Sequence, residues 1–207
     1  MIGHLIAMIA VGYVLGSIPF GVIIGRVVKR VDVRELGSGK IGMTNVMRSV
    51  GVPAGVLVLV LDMGKAVIAV LIARIVSDVH AVEAAAALAV LVGHNWPVFS
   101  GFKGGRGTAS GWGGLVILSP WAGLVATLVA LPAVGLTRYV SLGSIMGGSI
   151  GAALLIGLAA SGHAPWGYIW FGLVGGPLVV IRHRDNIQRL LNGTERKLGR
   201  RAEGGPP

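Results

Sequence analysis

The 207-residue chain contains no cysteine. That excludes disulfides, thiolate metal sites and a cysteine acyl-enzyme, and it says nothing about compartment. Charge is scarce as well. Only 13% of residues are Asp, Glu, Lys or Arg, and acids number 8 against 18 bases. Several signatures of chemistry are also missing. Lys40 is not followed by Ser or Thr and the spacing around it is not G-x-x-x-x-G-K-[ST], so there is no P-loop. The five histidines are scattered and no H-E-x-x-H appears, so no metal site is expected. The first apolar segment has neither a charged n-region nor an A-x-A site, so it is read as a retained helix.

What the chain does have is apolar sequence. It is 54% hydrophobic, with a mean hydropathy of +0.80 and 35 glycines. This composition predicts an all-α, polytopic integral membrane bundle with small residues between closely packed helices. Apolar segments run over about Leu5–Gly25, Pro53–Val76, Ala81–Trp96, Thr108–Leu118, Trp121–Leu136, Leu142–Ala160 and Trp166–Ile181. Gly16-Ser17-Ile18-Pro19-Phe20-Gly21 puts a kink or packing contact inside the first. Asp62 and Lys65 lie on one face of the second. They form either a structural pair or, for Lys65, a group facing a cavity.

Charge placement sets the expected topology. The net charge of +10 fits basic loops at a membrane surface better than nucleic-acid binding. With seven passes, four cationic regions share one side: the loop from Arg26 to Val52, the segment after Trp96, the turn at Arg138 and the tail from Arg182. Only Lys65 and Arg74 of the 18 cations fall elsewhere. The positive-inside rule then puts that side in the cytoplasm and the N-terminus outside. Five full spans plus two short segments would keep the same parity, because Thr108–Leu118 is too short to cross about 30 Å. A single membrane-embedded domain is expected over 1–200, with a disordered tail at 201–207.

The densest chemistry lies between His94 and Ser110, within His94-Asn95-Trp96-Pro97 and Phe102-Lys103-Gly104-Gly105-Arg106-Gly107-Thr108. Glycines let backbone N–H groups approach an anion, Lys103 and Arg106 supply charge, and the next helix begins at Thr108. This reads as a phosphate cradle at a membrane edge. A second glycine-rich stretch, Gly37-Ser38-Gly39, precedes Thr44, Asn45 and Arg48. Ser141 and a tail cluster of Arg182, His183, Arg184, Asn186, Arg189, Thr194 and Glu195 share the same side. Two cationic, glycine-rich sites beside lipid suggest two phosphoryl groups.

Taken in order, these motifs resemble the bacterial acyl-phosphate-dependent glycerol-3-phosphate acyltransferases, the PlsY family. The likeness covers nearly the whole chain. It also includes Gly93-His94-Asn95 with Pro97-Val98-Phe99, Ser141-Leu142, and Arg182-His183-Arg184 with Gly193-Thr194-Glu195. The resemblance implies a bacterial cytoplasmic-membrane enzyme whose active site faces the cytoplasm. It would transfer a fatty acyl group from acyl phosphate to the 1-hydroxyl of glycerol 3-phosphate, giving 1-acyl-glycerol 3-phosphate and phosphate in phospholipid synthesis. It implies no cofactor, and an upstream soluble enzyme that makes acyl phosphate as a partner. The chain lacks the His-x-x-x-x-Asp signature of the other acyltransferase superfamily.

By matching motif positions, Ser38, Thr44, Asn45, Arg48, Lys103, Gly104, Gly105 and Arg106 fall to acyl phosphate. Lys65, Ser141, His183, Arg184 and Asn186 fall to glycerol 3-phosphate. His94, Lys103, Ser38, Asn186 and Glu195 are the expected catalytic group. Either His94 or an oxygen of the acyl phosphate takes the hydroxyl proton. Glu195 is expected to position the cradle through Lys103 or Arg106. The chain departs from the family pattern at Lys40, Ile41, Met43 and Arg106, where Asn, Pro, Ala and Lys are usual. A transporter or channel for phosphorylated solutes is the rival reading. It predicts polar residues along the whole span and repeated halves, and neither is found. A structural subunit with lipid-binding loops has no use for Gly-Gly-Arg-Gly beside His-Asn.

Overall fold

The structure is a computed structural model describing residues 1–199, so the tail expected at 201–207 lies outside the described residues. Among the described residues every regular element is helical: α1 (Ile2–Gly16), α2 (Phe20–Lys29), α3 (Met43–Ser49), α4 (Val52–Val76), α5 (His80–Asn95), α6 (Thr108–Leu118), α7 (Pro120–Thr137), α8 (Val140–Ala160), α9 (Gly176–Arg182) and α10 (Arg184–Leu191). Short 3₁₀ turns occupy Val98–Ser100 and Trp166–Tyr168, and a π turn at Phe171–Gly175 runs into α9. Five segments are long and apolar enough to cross a membrane: Ile2–Lys29, Val52–Val76, His80–Ser100, Pro120–Thr137 and Val140–Ala160. Thr108–Leu118 and Trp166–Arg182 are shorter apolar helices.

The expected first helix is two. Pro19 has no N–H to continue the ladder, and Ser17 N turns back to Tyr13 O and Val14 O at 2.9 and 3.1 Å. The freed Ser17 hydroxyl, fully buried, accepts from Val98 N at 3.4 Å. Two helices went unseen in the sequence. α3 and α10, of 7 and 8 residues, are too short and too polar to show an apolar period. Pro177 sits in the first turn of α9, and the π turn precedes it. The missing donor and the wider turn belong together.

Eleven of the 16 residues of α5 are buried, which makes it the central helix. α1 lies along it because neither side carries bulk where they cross. A Cβ on Gly16 would strike the backbone of Val90, and one on Gly93 would strike Tyr13 O. Only Ala122, Gly123 and Ala126 are buried in the 18-residue α7, whose other faces are left for lipid. At the far end, Glu83 is buried and accepts from Arg74 Nε at 2.7 Å and Tyr168 Oη at 2.8 Å. Arg74 also donates to Ile117 O at 2.8 Å, so this cluster clamps α4, α5, α6 and the 3₁₀ turn at Trp166–Tyr168. At the opposite end Val33, Ile41 and Val46 bury against Val22, Ile24 and Val58. This fixes the 30–42 loop over the bundle.

Candidate functional site

The loop end of the bundle encloses a cavity of about 110 Å³. Its walls come from the 30–42 loop (Ser38, Lys40), α3 (Thr44, Asn45, Arg48), α4 (Asp62), the end of α5 (His94), the start of α6 (Arg106, Gly107, Thr108), the start of α8 (Ser141) and the C-terminal segment (His183, Asn186, Glu195). Four clusters far apart in the chain therefore meet at one place. Next to it lies an apolar cavity of about 360 Å³, lined by residues such as Met47, Trp112, Leu131, Val134 and Phe171. Met43, Leu59, Thr108, Ala109, Val140 and Ser144 line both, so the polar and apolar spaces share a wall.

The polar cavity is cationic. Among the described residues neither Lys40, Arg48 nor Arg106 has a carboxylate partner within salt-bridge distance. Burial, with Arg189 close by, pushes Arg106 down to about 10, which leaves it charged at neutral pH. Burial likewise lowers Arg48, with Arg196 adding to it, and lowers Lys40, with Arg182 and Arg106 adding to it. α6 begins at the cavity without a side-chain cap, after Gly107 at φ 80°, so its first N–H groups are free for an anion.

Glu195 is not a solvated tail charge, and it does not reach Lys103 or Arg106 as expected. Its Oε1 accepts from Ser141 Oγ at 3.0 Å and Asn186 Nδ2 at 2.8 Å, and its Oε2 accepts from Arg189 Nε at 2.8 Å. It ties the tail to α8 and α10 and orients two expected substrate ligands. His183 is buried and donates from Nδ1 to Val179 O at 2.8 Å. Burial is the main cause that pushes it down to about 4, and Arg106 adds to it, so at neutral pH Nε2 carries a lone pair toward the cavity.

Other expected ligands do different work. Asn45 is spent on backbone: its Oδ1 accepts from Ser38 N at 2.9 Å, and its Nδ2 reaches Val33 O, Leu36 O and Lys40 O at 2.7–3.1 Å. It shapes the Ser38 loop rather than offering a free amide. Lys103 is exposed and lies outside the cavity lining, as does Arg184, whose side chain is 81% exposed. Gly105 does not open its N–H to an anion, and both glycines are packed against the end of α5. Gly105 N donates to His94 O at 3.0 Å, and a Cβ on Gly105 would land on His94 Nε2. These glycines exist for close packing on His94. Lys65 sits behind Asp62 and His94 instead of facing the cavity, while Asp62 reaches the lining.

Sequence reasoning also passed over Arg182 as more than a tail charge. Its Nη2 donates to Gly105 O at 2.9 Å and Asn95 O at 3.3 Å, and its guanidinium lies 4.9 Å from the Trp96 ring. Position gave the one available signal, a cation at the end of an apolar run within reach of a glycine-rich turn.

A helical membrane bundle whose cationic cavity borders an apolar one is built to handle an anionic amphiphile. Comparison with known proteins agrees. A model of the family described as glycerol-3-phosphate acyltransferase matches residues 6–193. The chain is 46% identical to a glycerol-3-phosphate acyltransferase of Anaeromyxobacter sp. (strain K), over 92% of this chain and 96% of that one. It is 45% identical to one from Halalkalibacterium halodurans, over 92% and 94%. The crystal structure of PlsY (YgiH), an integral membrane glycerol 3-phosphate acyltransferase, in its glycerol 3-phosphate form superposes with a TM-score of 0.86. The identity is 40%, over 94% of this chain and 96% of that one. The lysophosphatidic acid form of the same protein gives 0.84 at 39% identity, over 94% and 95%. The chain belongs to the glycerol-3-phosphate acyltransferase family and is an integral membrane acyltransferase.

Proposed function

We propose that the enzyme moves a fatty acyl group from acyl phosphate to the 1-hydroxyl of glycerol 3-phosphate, releasing phosphate and 1-acyl-glycerol 3-phosphate. The observation that carries this is the shared wall between the cationic and apolar cavities. An acyl phosphate is one anion joined directly to one alkyl chain, and its anhydride carbonyl falls at that wall when each end lies in its matching space. The lysophosphatidic acid and glycerol 3-phosphate held by the related PlsY structures are of the same chemistry.

The roles follow from the geometry. Ser38, Arg48, Arg106 and the uncapped start of α6 hold the phosphoryl group of the donor. Lys40 adds a cation at the same rim. Ser141 and Asn186, set by Glu195, orient glycerol 3-phosphate together with His183. The hydroxyl oxygen bonds to the acyl carbon, the carbon–oxygen bond to phosphate breaks, and phosphate leaves. The hydroxyl proton has two available acceptors, His94 Nε2 and a phosphoryl oxygen of the donor. Holding charge and orientation accounts for most of the rate, since the anhydride already carries a good leaving group.

The chain is best read as one membrane domain with seven passes, N-terminus outside and cavity toward the cytoplasm of a bacterial inner membrane. Cations at the loop end support this. A soluble enzyme that makes acyl phosphate would supply the donor. The test is phosphate release by purified protein in lipid, given palmitoyl phosphate with and without glycerol 3-phosphate, beside palmitoyl-CoA. Release that requires glycerol 3-phosphate, with no reaction from the thioester, is expected. Turnover with palmitoyl-CoA alone contradicts the donor assignment.

A further inference from the structure

His94 is held by more than its own helix. Its Nδ1 lies 2.9 Å from Lys65 Nζ and 3.3 Å from Asp62 Oδ1. Lys65 Nζ also donates to Gly16 O at 2.9 Å and stands 2.8 Å from Asp62 Oδ1. All three side chains are 2–3% exposed, so no water competes for these bonds. An ammonium has three hydrogens and no lone pair. Gly16 O and His94 Nδ1 are acceptors for two of those hydrogens, and Asp62 Oδ1 lies against the ammonium as its counter-ion. A proton on Nδ1 would instead set two donors against each other at 2.9 Å, with the longer 3.3 Å approach to Asp62 its one outlet.

We infer that Lys65, with Asp62 as its counter-ion, is a positioning residue that locks His94 in the Nε2–H tautomer, so that His94 offers the cavity a hydrogen-bond donor and not a base. The packing around the other ring nitrogen fits this. Only a glycine at 105 leaves Nε2 uncovered, and Arg182, reaching in from the end of α9, holds the Gly105 carbonyl in place. What the donor does rests on the acyl-transfer reading above. Nε2–H is aimed at the oxygen on which negative charge gathers as the hydroxyl adds to the acyl carbonyl. His94 gains and loses no proton. The hydroxyl proton therefore leaves on a phosphoryl oxygen of the donor as the carbon–oxygen bond to phosphate breaks.

The experiment is nitrogen NMR of the full chain, labelled with ¹⁵N at histidine, in lipid nanodiscs without substrate. The His94 signal is identified by its loss in His94→Gln. The expected result is a neutral ring with a protonated Nε2 and an unprotonated, hydrogen-bonded Nδ1. A Nδ1–H ring or an imidazolium at neutral pH overturns the inference. In Asp62→Asn/Lys65→Met, which leaves no charge buried alone, the lock is gone and both tautomers should appear. kcat should fall about a hundredfold, the scale of losing one preorganised donor, with KM for palmitoyl phosphate nearly unchanged. A tautomer that does not respond in this variant also overturns the inference, because something other than Lys65 and Asp62 would then set it. The spectrum needs no substrate, so failed turnover by the unaltered protein would count against the acyl-transfer reading and leave the tautomer standing.

Discussion

Buried single side chains carry the most specific consequences. His183 is pushed down to about 4 in the folded protein from an ordinary 6.5. Between those values the unfolded chain binds the proton and the folded one does not, so stability rises with pH across the window and is lost as pH falls from 6.5 toward 4. The full separation is worth about 3 kcal/mol. Thermal unfolding in detergent should show this as a fall in Tm over that range that is shallower in His183→Gln, and identical slopes would contradict the burial argument. At this scale the sequence was a partial guide. It singled out Ser38, Arg48, His94, Arg106, Ser141, His183, Asn186 and Glu195, which the fold brings to one cavity, because motifs with anion-binding chemistry stand out against apolar surroundings. The contacts of Asn45, Lys65 and Gly105 with backbone or with another side chain were not legible there. A phosphate-binding glycine and one that makes room for a histidine look alike in a string of letters.

Among the elements, the long apolar helices were legible to within a few residues, since length and hydropathy alone mark them. The helices that shape the site were not. α3 and α10 form because Met43–Ser49 is pinned under the Asn45 network and because the 184–191 segment is held near α8 through Glu195. Both causes are tertiary. The Glu83 clamp at the far end gives a prediction that separates stability from chemistry. Glu83 is on α5, the helix that delivers His94, yet it lies on the other side of the bundle and outside both cavities. Glu83→Gln keeps the shape and weakens the bonds from Arg74 and Tyr168. It should cost about 2 kcal/mol of stability, the scale of hydrogen bonds to a charged group, while leaving KM for glycerol 3-phosphate unchanged below the melting range. A large KM change with unaltered Tm would show that the clamp tunes the site.

For the whole molecule, the absence of cysteine becomes useful. Any single cysteine introduced is the only thiol, so sidedness can be read residue by residue in intact cells. His4→Cys should react with an impermeant maleimide from outside, and Gly193→Cys only after the membrane is opened. The reverse pattern would place the cavity on the wrong face for a cytoplasmic donor. Parity of the apolar segments and the positions of the cations predict this arrangement. The central claim is that one amphiphile lies across the shared wall, phosphate in the cationic cavity and chain in the apolar one. Its most direct test is a structure with a non-hydrolysable acyl phosphonate bound. The account predicts the phosphonate between Arg48 and Arg106 at the start of α6, with the alkyl chain running past Met47 and Trp112 toward Leu131. A phosphonate in that cavity with its chain elsewhere, or a chain in the apolar cavity with its phosphonate away from Arg48 and Arg106, would contradict it.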